Sequence, residues 1–199
     1  MKTGKPNAAA LGFRVKSGWA MAVLLAGSTR APKLISCQAV LLSDPNIPQS
    51  KQPHHVALDL PEKEGKVLAE KLCRVVTNAA KQSVLQLLEQ AGADGYDVMG
   101  AGLVVGSVVD PATLHNEHIR AHGLEGQLFR TALEDALRGQ GLSSRVLVEK
   151  NAYATASPAL RKSAAEAKKI VAVLGESHNG AWRAEEKLAA LAAWIALSG

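Results

Sequence analysis

The sequence predicts an α/β protein: a mixed five-stranded sheet, three antiparallel strands followed by two parallel ones, with helices packed on it. Three observations predict this class. Residues 11–42 hold three strand-like runs on short connections, and a parallel return between neighbours needs a dozen or more residues. Two later apolar runs are separated by a long helical stretch, so a crossover makes them parallel. Aromatic residues make up only 4% of the chain, and alanine and leucine replace them, which suits helices lying close on a sheet.

The elements follow in order. Residues 1–10 are expected to form a mobile basic arm, and residues 11–199 a single domain, a size that buries a real core. The first strand covers about 11–16, with Leu11, Phe13 and Val15 alternating against Gly12, Arg14 and Lys16. Ser17-Gly18 is a tight turn. The second strand, about 19–26, is a nearly continuous apolar run that implies burial on both faces. The third covers about 34–42. Residues 43–60, with Pro45, Pro48 and Pro53, read as a loop.

A long helix over about 61–91 carries Leu68, Leu72, Val75, Val76, Ala79, Val84, Leu87 and Leu88 at helical spacing. The fourth strand, about 97–105, contains Gly100 and Gly102, and glycine within a strand marks close approach of another backbone or ligand. A helix over about 116–138 and a fifth strand at 145–149 come next. Ser157-Pro158 reads as the start of another helix, serine as cap and proline in the first turn. Leu160, Ala164, Ala167, Val171 and Leu174 extend its apolar stripe to Gly175. The last helix spans about 181–197.

Charge is unevenly placed. The formal net charge is +5, and residues 1–33 carry Lys2, Lys5, Arg14, Lys16, Arg30 and Lys33 with no acid. The remainder is nearly neutral, with 17 basic and 18 acidic side chains. A basic arm of this kind meets polyanions, so nucleic acid is one expected partner. Cys37 and Cys73 form no disulfide framework, and buried free thiols fit a reducing cytoplasm. The apolar run after Trp19 is too short for a secretory signal preceded by Arg14 and Lys16, and no run approaches the roughly 20 residues of a membrane span.

The element order resembles the ribonuclease H-like fold, and within it the RuvC-like resolvases and the ribosomal-RNA-maturing nucleases related to them. LGFRVKSGWAMAVLL looks like the family's first hairpin, VEKNAYATASPALRK like its fifth strand and following helix, and RAEEKLAALAAWIAL like its last helix. The resemblance implies phosphodiester hydrolysis by two magnesium ions held by three or four carboxylates, which bridge the scissile phosphate. Carried over, the strand-one acid falls at Val15 or Lys16, neither of which is an acid. The strand-four position falls among Ala101, Gly102 and Leu103. Glu149 matches the strand-five acid, and Glu185 or Glu186 the one on the last helix. Lys16 could place an ammonium where a metal would sit and pair with Glu149. The candidate catalytic set is therefore Lys16, Glu149, Glu185 and Glu186, flanked by Ser17, Lys150 and Asn151 as ligand contacts.

His115, His118 and His122 form a second constellation. At 100° per residue they lie within about 60° of one another, and Glu125 and Phe129 continue that face. Histidines at this spacing can ligate zinc, with Glu125 or Asp110 adding an oxygen. His54 and His55, in the proline-rich loop, are expected to be solvated.

Three functions compete. The first is a ribonuclease H-like domain without the full metal site, which acts by binding nucleic acid or protein. The second is a hydrolase of another kind, using magnesium or zinc, built from His115, His118, His122 and Glu149. The third is a homo-oligomerisation module that uses the Ala/Leu-rich helices.

Overall fold

A computed structural model describes residues 7–198 of the chain. The strands are β1 (Asn7–Lys16), β2 (Trp19–Ser28), β3 (Ala31–Leu41), β4 (Tyr96–Val105) and β5 (Ser144–Val148). The helices are α1 (Pro53–Leu58), α2 (Glu62–Ala93), α3 (Glu117–Gly139), α4 (Ala152–Leu160), α5 (Ala164–Leu174) and α6 (Ala184–Ala196). The sheet order is β3-β2-β1-β4-β5. β1, β2 and β3 pair antiparallel, while β1, β4 and β5 run parallel. The mixed five-stranded sheet expected from the sequence is present.

Both faces are covered. Leu11, Phe13 and Val15 of β1 pack with Val76, Val84 and Leu87 of α2 and with Phe129 and Leu133 of α3. On the other face, Val23, Leu25, Val104 and Leu147 meet α4, α5 and α6, with Trp194 fully buried. The apolar run of β2 accordingly divides its side chains between the two cores.

Gly12 and Gly102 are partners across β1 and β4. Side chains there would run into α6: a Cβ on Gly12 would overlap the Ala189 carbonyl and the Ala193 amide, and one on Gly102 the Ala192 carbonyl. The strand glycine thus marks a close backbone approach, and α6 answers with the buried run Ala189, Ala190, Ala192 and Ala193. This packing sets the head of α6 against the carboxyl end of β1.

Several boundaries differ from expectation. β1 starts at Asn7, whose N–H donates to Gly95 O at 2.9 Å, so residues 7–10, expected in the arm, are strand. Lys2 and Lys5 of that arm lie outside the described residues. Residues 43–60 contain a 3-10 turn at Pro48–Lys51 and the short helix α1, each opened by a proline. The helix expected to begin at Ser157-Pro158 is two helices. Ser157 lies inside α4, its hydroxyl donating to Tyr153 O at 2.9 Å. Arg161 then turns left-handed at φ 50°, and Ser163 caps α5 by accepting from the Glu166 N–H at 3.2 Å. A capping box at Ser163 and Glu166 competes successfully with the Ser-Pro pair. The last helix begins at Ala184, since Trp182 is held outside it by its indole N–H on Val171 O at 2.8 Å. No helix among the described residues is long and apolar enough to cross a membrane.

Candidate functional site

Two groups of charged side chains meet at the ends of the parallel strands, on opposite faces of the sheet. Alternation along β1 puts Gly12, Arg14 and Lys16 on the α6 face. Arg14 is 4% exposed, and a guanidinium so deep between layers requires partners. Its Nη1 donates to Val15 O at 2.7 Å and its Nη2 to Glu149, in the 3-10 turn that follows β5. Its Nε is buried without a partner. Lys16 Nζ lies 3.3 Å from Glu185 Oε1, at the start of α6, with each side chain about one-third exposed.

Glu185 has its carboxyl below the usual carboxylate range. A hydrogen bond to its own backbone amide at the helix head contributes most, followed by Lys16, with Arg14 adding a smaller field. Glu186, the alternative at this position, is buried and accepts from the Arg183 N–H at 2.8 Å, which makes it a capping group. The expected pairing therefore changes: Lys16 meets Glu185 rather than Glu149, and Arg14 occupies the place beside Glu149. Arg14 was legible, as the polar residue one pleat inside Lys16 on a face that a helix must cover.

Ser17, Lys150 and Asn151 are exposed at the same edge. A recess of about 200 Å³ opens beside Ser17, bordered by Arg14, Lys16, Ser17 and Ser107 and, from α3, by Gly126 and Phe129. Lys51, in the 3-10 turn, packs against the β1–β2 turn: a Cβ on Gly18 would stand 3.1 Å from Lys51 Cγ.

The histidines assemble on the α2/α3 face. His118 and His122 of α3 approach each other, Nε2 to Nε2, at 3.2 Å. The third ring is His55 of α1, with centroids 4.8 Å from His118 and 4.2 Å from His122. His115 is exposed and stands outside this group, because it precedes the Asn116 cap and is not on the helix. His55 is not solvated: its side chain is 14% exposed and its Nδ1 lies 2.8 Å from Glu125 Oε1, within ion-pair distance though off the line of a hydrogen bond. His54 is half-buried near Cys73, 3.8 Å from Nε2 to Sγ, and burial lowers its pKa. Glu149 and the histidine group lie on opposite faces, so the expected combination of the two does not assemble. Asp110 caps the 3-10 turn at Pro111–Thr113 by accepting from the Ala112 N–H at 3.0 Å.

No protein-family model and no curated protein sequence matches the chain. Solved structures of Thermus thermophilus RuvC do match it. One has 11% sequence identity over 94% of this chain and 92% of that one, with a TM-score of 0.53. Another, RuvC in complex with a Holliday junction substrate, has 10% identity over 94% and 91%, with a TM-score of 0.51. The chain has the ribonuclease H-like fold of these resolvases, as the sequence resemblance implied. The two-magnesium site that the resemblance also implies does not fit the residues present. Of the expected acids, Glu149 and Glu185 each hold a cation and Glu186 caps a helix, so no free carboxylate cluster remains to bind two dications.

Proposed function

We propose that this ribonuclease H-like domain binds the phosphate backbone of nucleic acid without cleaving it. The observation that carries the reading is the pair of cation–carboxylate contacts, Arg14–Glu149 and Lys16–Glu185, at the carboxyl edge of the parallel strands. A nuclease with two metals needs uncompensated carboxylates at such an edge, because only clustered negative charge holds two dications beside a phosphate. Here the edge carries its own cations. A lysine there can hold a phosphate as a point charge, but it cannot supply a metal-bound hydroxide. Lys16 lines the recess and would make such a contact, and Lys150, exposed in the 3-10 turn that follows β5, is the second lysine to test. Open parallel sheets also place ligands at this edge.

RuvC, whose fold this chain shares, has been captured with a Holliday junction substrate, so branched DNA is the first ligand to test. Labelled duplex and four-way junction DNA would be titrated with the full chain between about 50 and about 200 mM salt. Binding should weaken steeply with salt, and Lys16→Ala and Lys150→Ala should each reduce the logarithmic slope by about one. Absent binding, or binding insensitive to both salt and these substitutions, would contradict the reading.

A further inference from the structure

We propose that His55, His118 and His122 form a site for a divalent transition metal of the zinc class, clasping α1 to α3. The ligating atoms of the three residues lie within 4.8 Å of one another. Tetrahedral zinc at about 2.05 Å from each imidazole nitrogen separates those nitrogens by roughly 3.3 Å. The 3.2 Å between His118 Nε2 and His122 Nε2 matches this without movement of the helix that carries them. Residues four apart on one helix face are suited to such a pair.

Without a cation, the same geometry leaves several groups unsatisfied. Two Nε2 atoms facing each other can share one proton at most. The His55 Nε2 is buried with no hydrogen-bond partner. Glu125 is 1% exposed, and its Oε2 likewise has no partner. Buried polar groups left open call for an ion or another partner, because each costs free energy unpaired. One divalent cation answers the three imidazoles and the charge of the buried acid together. It accepts His55 Nε2, separates the other two rings, and offsets the charge of the buried carboxylate. Glu125, beside His55 Nδ1, is then the positioning residue that fixes the ring. With His118 and His122 exposed, a fourth coordination position remains open to solvent, as in three-histidine zinc sites.

The inference uses none of the residues proposed to contact nucleic acid. Its test uses full-length, tag-free protein stripped with chelator and then titrated with zinc alone and with cobalt(II) alone. About one equivalent should bind per chain, with visible cobalt bands of a low-coordinate nitrogen site and a raised Tm. His118→Ala with His122→Ala should abolish it; both side chains are exposed, so the fold tolerates their loss. His115→Ala should leave binding unchanged. Glu125→Gln should weaken zinc binding by about 10- to 100-fold and shift the cobalt spectrum. Uptake below about a tenth of an equivalent, or uptake that survives the double substitution, would overturn the assignment.

Discussion

Arg14 and Glu149 illustrate how unequal the two charge pairs at the sheet edge are. Arg14 is 4% exposed and Glu149 43%, so removing the acid strands a buried cation, although water screens part of the loss. Glu149→Ala should cost about 1–2 kcal/mol in urea unfolding, whereas Lys16→Ala, which breaks a pair exposed by about one-third on each side, should cost less than about 1. Equal costs would mean that Arg14 has another partner. Glu185 adds a pH dependence of known sign. Its folded-state pKa is depressed, so its contribution is present above the unfolded carboxylate value near ~4.3 and is lost as pH falls through the lower folded value. Glu185→Gln should therefore lose stability relative to the native chain at neutral pH and converge with it in acid. Cys37 behaves in the opposite direction. Burial, then the nearby Glu186, pushes its thiol up to about 11, which keeps it protonated and slow toward alkylating reagents at neutral pH.

Among the elements, α6 is the one that makes the site. It lies on Gly12 and Gly102 with no side chain between backbones, and this closeness brings Glu185 to Lys16. Gly12→Ala or Gly102→Ala must push α6 off the sheet, an overpacking cost of about 1–3 kcal/mol or more. Gly100→Ala should be mild, because its nearest neighbour would stand at 3.7 Å, ordinary contact. Chemical denaturation of the three variants checks this ranking. The α4–α5 pair was less readable. Leu160, Ala167 and Val171 all enter one core, so the apolar period continues in phase across the break at Arg161 and conceals it. The signal that marks the break is Ser163 with Glu166, which is local capping chemistry rather than period.

Across the whole molecule, what could be read in the sequence depended on how local the cause was. Strand alternation, the two-sided burial of β2 and the length of α2 are local, and they sufficed for a mixed sheet of three antiparallel and two parallel strands. The same pattern placed a charged edge near Lys16 and Glu185. Partner choice is a tertiary matter. Glu149 meets Arg14 from 135 positions away, and His55 joins α3 only because α1 folds back over it. His115 has the right spacing but sits ahead of the helix cap, where spacing no longer determines direction. The two faces of the sheet thus carry separate chemistries, a cation-bearing edge under α6 and a histidine group under α1.

The central claim is that this edge binds phosphate and does not cut it. The most direct test incubates the full chain with labelled four-way junction DNA in magnesium and resolves each sample on native and denaturing gels. The account predicts a retarded, salt-sensitive complex with the strands intact. Magnesium-dependent cleavage that disappears in Glu149→Ala would contradict it.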